Sequence, residues 1–351
     1  MPMNAQRLLA LLLVAAFCAA WPTRAYAQKV GTSSLQFLKV MPTARATAMG
    51  DAYSAQASGA DAVFWNPAGI TGALSHDIAL TLTLWIFDSR QAALAYAVPL
   101  GEFGTLGLQL QYVDYGEIEE TRVDQLEFVG TGGDVRYNPG LTGTVFSPSA
   151  LVAGLTYAKD LTERFSTGIT AKFVHESLYS SGTVTVPDEA GGYDTYNTAV
   201  SLVLFDFGMR YRTGFRSMVL GASVQNFGSQ VKYGEEGYPA PLAFRLGLSF
   251  NVFGSEALGW VDEQNRLTMA FDIFQPNDYA QQLHVGAEYC FADVFAARGG
   301  YKWNYDTEGL TLGAGVRTQL TGVDLRFDYS YGDLGEYLST VHRLSLGVTL
   351  P

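Results

Sequence analysis

The chain has 351 residues, 48% of them apolar, 13% aromatic and only 16% charged, with a formal net charge of −12 and two cysteines. The acidic balance excludes nucleic-acid binding by charge. The charged fraction falls well below the ~25% of ordinary soluble domains, and 38 glycines, 20 tyrosines and 21 phenylalanines take up the difference.

Residues 1–27 read as a cleaved export signal. Arg7 supplies the positive start, Leu8 to Ala20 is an apolar run too short to span a bilayer, and Ala25-Tyr26-Ala27 is a small-x-small cleavage site ahead of Gln28. Phe17 before Cys18 argues against a lipid anchor there. The leader holds two basic residues, Arg7 and Arg24, and no acid, so its loss takes the net charge from −12 to −14. Cys290 is then the single thiol, and an exported fold with one thiol has no internal disulfide. No later apolar run reaches the ~18 residues of a membrane helix. Low charge, many aromatics and an export signal without a membrane helix point to a β-barrel in the outer membrane of a Gram-negative-type bacterium.

Residues 28–72 are of another kind. Leu35 to Thr71 is rich in Ala, Gly and small polar residues, carries few charges and follows neither a helical nor a strand period. A free tail of this length is normally more polar. One that ends in Trp65-Asn66-Pro67-Ala68-Gly69 reads as irregular backbone packed inside something.

From residue 73 to 351 period-2 alternation dominates. Leu106, Leu108, Leu110 and Tyr112 alternate with Gly107, Gln109 and Gln111, and Phe244, Leu246 and Leu248 with Arg245, Gly247 and Ser249. Val323, Leu325, Phe327 and Tyr329 alternate with Asp324, Arg326 and Asp328, and Leu344, Leu346 and Val348 with Arg343, Ser345 and Gly347. We read about fourteen strands, starting near residues 74, 91, 105, 149, 164, 197, 216, 241, 266, 281, 294, 309, 322 and 341. A soluble sandwich shares this alternation, so loop lengths decide. The connections before the strands at 105, 164, 216, 294 and 322 are short. The three longest, Gly116 to Pro148, Ser180 to Tyr196 and Gly228 to Ala240, all fall on the opposite parity. Short periplasmic turns and long external loops are the signature of an antiparallel membrane barrel. Gly254 to Asn265 breaks the rule, being long on the short side.

The inward face then carries Asp206, Arg210, Arg245, Asp272, His284, Glu288, Arg298, Lys302, Arg317, Asp324, Arg326 and Asp328. Polar interiors are the norm in such barrels, and charges on neighbouring strands can pair along the wall. Inward Gly107, Gly221, Gly247, Gly286, Gly300, Gly313 and Gly347 leave room where another backbone comes close. Asn66 can bond local backbone, Pro67 fixes the turn into the first strand, and Gly50 and Gly69 permit tight bends. Arg45 lies among alanines, and a buried arginine needs an acid. Asp51, Asp61, Glu288, Asp324 and Asp328 are the candidates.

Enzyme signatures are missing. His76, His175, His284 and His342 are scattered, His175-Glu176 lacks a second His at metalloprotease spacing, and there is no G-x-S-x-G elbow. No phosphate loop or metal cluster is legible. The expectation is a protein without catalytic residues, cofactor or metal.

The run Phe37-Leu38-Lys39, Ala44-Arg45-Ala46, Ala48-Met49-Gly50, Ala52-Tyr53, Ala60-Asp61-Ala62 and Trp65-Asn66-Pro67-Ala68-Gly69 resembles the start of the PorV/PorQ family, outer-membrane barrels related to the FadL fatty-acid transporter fold. Asp51 stands where that family usually has a second glycine, and Met41-Pro42-Thr43 where it favours glycines. The resemblance implies that residues 35–71 plug the barrel. It also implies a role in type IX secretion. There PorV-type members receive exported proteins carrying a C-terminal signal domain and pass them from the translocon to surface attachment, with the long external loops contacting cargo or secretion-system components. The alternative is FadL-like passage of a small hydrophobic molecule, which needs an apolar cavity and a movable plug. In either case outer-membrane lipid surrounds the barrel.

Overall fold

The computed structural model describes residues 31–130, 135–187, 192–233, 236–336 and 338–351. The leader and its cleavage site lie outside the described residues. In chain order the strands are β1 (Asp77–Leu84), β2 (Arg90–Pro99), β3 (Thr105–Asp114), β4 (Ile118–Val129), β5 (Arg136–Phe146), β6 (Ser149–Asp160), β7 (Phe165–Ser177), β8 (Thr183–Pro187), β9 (Tyr193–Asn197) and β10 (Ala199–Arg212). They continue with β11 (Val219–Gly228), β12 (Gln230–Tyr233), β13 (Glu236–Pro239), β14 (Ala243–Phe253), β15 (Asn265–Pro276), β16 (Gln282–Phe291), β17 (Phe295–Trp303), β18 (Leu310–Leu320), β19 (Val323–Gly332) and β20 (Val341–Thr349).

Among the described residues, fourteen of these strands close into one antiparallel barrel in the order β1-β2-β3-β6-β7-β10-β11-β14-β15-β16-β17-β18-β19-β20. β1 pairs with β20 from Asp77↔Thr349 to Leu84↔His342, so no sheet edge is left open to lipid. The alternation sets the two faces. Leu80, Leu108, Leu110, Phe244, Leu246 and Leu344 are exposed outward, while Ala95, Thr156, Asp206, Arg245 and His284 are buried inward. Among the described residues no helix is long and apolar enough to cross a membrane, and the barrel crosses with strands.

The three longest connections are not plain loops. Each contains its own two-stranded sheet: β4–β5, β8–β9 and β12–β13. All three stand at the end opposite Asp77 and Thr349, which is the external end of such a barrel. The connection between β14 and β15, at the periplasmic end, is folded on itself. Phe253 stacks on Trp260 at 4.9 Å, and Asp262 accepts the backbone N–H groups of Gln264 and Asn265.

The core lies inside the barrel and is made by the segment before β1. Ala44, Ala46, Ala48, Met49, Ala52, Tyr53 and Trp65 are fully buried. The segment has only short helical turns, Gln36–Lys39, Ala44–Ala48, Ala62–Trp65 and Pro67–Gly72. Its backbone groups must therefore find partners on the wall. The chain runs from the external end, where Ser34 N–H donates to Pro239 O, down to the periplasmic end, where Ala60 N–H donates to the Asp77 carboxylate at 2.8 Å.

Candidate functional site

The segment is locked to the wall by charge first. The Glu288 carboxylate on β16 receives Arg45 Nε at 2.8 Å and Nη2 at 2.7 Å. Its Oε2 also accepts Arg298 Nε at 2.6 Å, and Arg298 Nη1 reaches Asp328 at 2.6 Å. The wall alone holds two acids and one base here, and Arg45 from the plug brings the row to neutrality. Of the five acids open to Arg45 in the sequence, Glu288 is the partner. Buried charges are tolerated only when matched, so this wall is complete only with the plug in place.

A second contact joins Asp51 to Lys302 on β17 at 2.6 Å, and the same ammonium reaches Glu308 in the external β17–β18 connection at 2.5 Å. Asp51 has φ 63°, the left-handed region that favours glycine and that Asp tolerates better than most residues. The departure from the family's second glycine thus places a carboxylate on Lys302. His284 lies beside this pair, fully buried, with its Nε2 on the Tyr305 hydroxyl at 2.8 Å.

Backbone groups are the third set of contacts. Asp272 Oδ2 accepts Ser54 N–H at 3.0 Å and Ser54 Oγ–H at 2.5 Å. Gln225 Nε2 donates to Phe64 O at 2.7 Å, and Ser223 to Trp65 O at 3.1 Å. Thr311 donates to Ala48 O, and Ala44 N–H to Ser345. Asn66 caps the turn after it through Ala68 N–H and donates to Ser54 O and Met209 O, with Pro67 at the first position of that turn. Trp65 Nε1 donates to Thr43 at 2.8 Å. Arg245 lies over the Phe274 ring at 4.0 Å and the Trp65 ring at 5.3 Å.

Close approach explains the inward glycines. A Cβ on Gly300 would stand 2.1 Å from Gly50 N, and one on Gly286 2.3 Å from Met49 O. Gly107, Gly221, Gly247 and Gly313 also face plug atoms. Gly347 does not: the Arg326 guanidinium fills the space beside it. Gly69 packs on Ala57 O within the plug. Two wall glycines absent from the inward set above, Gly168 and Gly208, face Pro67 and Asn66.

Asp61 is buried and its Oδ1 has no partner. Burial pushes its carboxyl up to about 6, Asp77 and Asp328 add to the shift, and Arg326 opposes it. Arg326 is itself engaged with Asp77 at 3.2 Å. Arg317 and Asp324 pair with each other on β18 and β19 near the periplasmic turn. They line the same cavity as Arg45, Glu288, Arg326 and Asp328, with Arg317 the more exposed of the two. The sequence reading missed Arg343, which donates to Met41 O at 3.1 Å, Asp77, and Lys172, which pairs with the inward Asp206 at 2.8 Å. All three have inward parity, the same signal that marked their neighbours.

At the external end the contacts become apolar. Leu35 and Phe37 pack with Val113, Ala150, Val152, Val174 and Leu204 of the wall and with Val231 and Ala240 around the hairpin β12–β13. Glu176 accepts the hydroxyls of Tyr115 at 2.6 Å and Tyr233 at 2.5 Å, which holds that hairpin over the mouth. Asp278 gathers Lys39, Ser33 and Gln36. Among the described residues no group of His, Cys, Asp and Glu is arranged to hold a metal.

The model of the family described as type IX secretion system protein PorV matches residues 23–275. The chain belongs to this PorV family. Solved structures similar to this member include the toluene transporter TodX of Pseudomonas putida, with 14% identity, a TM-score of 0.54, and 86% of this chain and 96% of that chain covered. The monoaromatic hydrocarbon channel CymD is also similar, with 12% identity, a TM-score of 0.52, and 88% and 96% covered. At these identities the likeness is one of fold alone. No curated protein matches the sequence.

Proposed function

We propose that this outer-membrane barrel is a non-enzymatic component of protein secretion that binds exported cargo or translocon partners at its external face. Family membership supports the reading, and the external hairpin β4–β5 carries it. Phe128 and Tyr137 face each other across that hairpin with ring centroids 5.4 Å apart, and both are mostly exposed, as is Val135. An aromatic cluster on a two-stranded sheet with free edges is a surface for protein contact. The locked plug supports the same reading, because a lumen closed by matched charges is a poor path for small molecules. The test is a mild-detergent pull-down from native membranes, comparing the whole protein with a variant in which a Gly-Ser turn replaces residues 120–144. Secreted proteins with a shared C-terminal domain, or a larger translocon barrel, are expected with the whole protein and lost with the variant. Equal recovery from both would overturn the role of β4–β5.

A second reading is favoured by one observation. The apolar cluster around Leu35 and Phe37 is the kind of lining a hydrophobic molecule needs, and it lies at the external end where such a molecule would enter. An apolar compound retained in the purified protein, with no protein partner, supports passage of small hydrophobic molecules instead.

A further inference from the structure

One side of the barrel is indented. At mid-wall on β20, β1 and β2 the inward side chains are small, Ser345, Ala79, Thr81, Ala93, Ala95 and Ala97, with Gly107 and Gly347, between the longer Gln91, Gln109, Gln111 and Arg343. The plug lies against this side, as the Ala44–Ser345 hydrogen bond and the Gly107–Val63 approach show. A wall with short inward side chains moves in until backbone meets plug, and its lipid face becomes concave. A groove of about 800 Å³ results, bordered by Ala314 on β18 at one side and Leu151 on β6 at the other. These strands are six spacings apart, about 29 Å along the wall, too far for one cavity on a convex surface. A second concavity of about 790 Å³ continues it over β3, β6 and β7.

The groove is apolar along its length, and charge stands just beyond its external end. Leu82 is flanked in register by Ala92 and Leu344, and Leu80 by Leu94 and Leu346. At the external end Leu84 lies between Arg90 and His342. Arg90 is exposed, has the outward parity of Ala92 and Leu94, and makes no ion pair among the described residues. The nearest acid in register, Asp114, is turned to the Gly116 N–H. His342 is held by the Tyr329 hydroxyl and Thr340.

We propose that this groove is a lipid site. It takes acyl chains of an outer-leaflet glycolipid of the lipid A type, with a headgroup phosphate on Arg90. The occupant follows from position and charge. The groove opens into the acyl phase of the outer membrane, so hydrocarbon fills it. The exposed Arg90 stands just beyond its outer-leaflet end, one outward position from Ala92, where a phosphate would be bound by a charge-assisted hydrogen bond.

The experiment is native mass spectrometry of the whole protein in mild detergent, titrated with lipid A, dephosphorylated lipid A and phosphatidylglycerol. Wild type is expected to hold lipid A at least about tenfold more tightly than either competitor. Arg90→Gln should lose about tenfold for lipid A and nothing for the dephosphorylated form. The double variant Ala92→Phe/Ala314→Phe, which fills the groove from the lipid side without touching the plug, should lose all three. Heat-modifiable migration on gels verifies that each variant is folded. Equal binding of the three lipids, tighter phosphatidylglycerol, full binding by the filled variant, or a protein partner that shields Ala92 and Ala314 in place of lipid would each overturn the proposal.

Discussion

The two ends of the plug are held by different physics. Residues 44–69 are fixed by Arg45–Glu288, Asp51–Lys302, the Asp272 and Gln225 hydrogen bonds, and glycines that let two backbones touch. Residues 33–40 are held by two apolar side chains, by one acid, Asp278, which Lys39 meets with a quarter of its side chain exposed, and by single hydrogen bonds to Pro239 O and from Gln91. The first set is interlocking, because Glu288 and Lys302 each lose one of two partners if the segment leaves and the wall row is left out of balance. The second can be given up one contact at a time. The plug therefore has a fixed body and a separable leading strand.

The largest expected effect comes from attacking the fixed body. Glu288→Ala leaves Arg298 buried and Arg45 half-buried beside it without their shared carboxylate, at a cost of about 3–5 kcal/mol. Unfolding in detergent followed by heat-modifiable migration measures this. A variant as stable as wild type would show that the ion row is ornamental and the comparison false.

Next is the steric seam. Gly300→Val puts a Cβ into Gly50 N, so the plug cannot seat while the outward face is untouched. Single-channel conductance in planar bilayers should rise several-fold, approaching that of a barrel lacking residues 35–71. If deleting 35–71 leaves conductance unchanged, residues 35–71 do not close the lumen.

Asp61 sharpens the same contrast through pH. Its folded-state value of about 6 lies above the ordinary aspartate value of 3.8. A raised carboxyl favours the folded state when protonated, and that contribution is lost as pH rises from about 4 through about 6. Asp61→Asn should therefore stabilise the protein on the order of 2–3 kcal/mol at pH 8 and have no effect at pH 4. Equal effects at both pH values would mean that the gain has nothing to do with charge.

Much of this was legible before the structure, and the reason is the solvent on each side. Lipid obliges every barrel strand to keep one face apolar, so starts expected near 105, 149 and 341 are the observed starts of β3, β6 and β20. The first strand begins at Asp77 rather than near 74, since Leu74 stays outside the sheet and exposed. The hairpins β4–β5, β8–β9 and β12–β13 escaped notice because water on both faces imposes no alternation. Arg45 called for an acid, but its partner lies 243 residues away, a separation that only closure of the barrel resolves. The inward parity that marked Arg326 applies equally to Arg343, which shows that the signal was present and incompletely used.

The smallest effect tests the separable end. Phe37 is buried, and removing such a ring from an ordinary core costs about 3–5 kcal/mol. Here the loss is capped. If residues 33–40 can detach while 44–69 stay docked, a weakened leading strand simply opens, and the global unfolding midpoint does not register the rest of the deficit. Phe37→Ala and Asp278→Ala should each speed amide exchange across residues 33–40 and leave exchange at 46–66 and the unfolding midpoint as in wild type. Asp278→Ala should be the weaker of the two, since a part-exposed ion pair contributes about 1 kcal/mol or less. A matching fall in the global midpoint would mean that the plug comes out as one piece, and that the charged body and the apolar tip are a single cooperative unit.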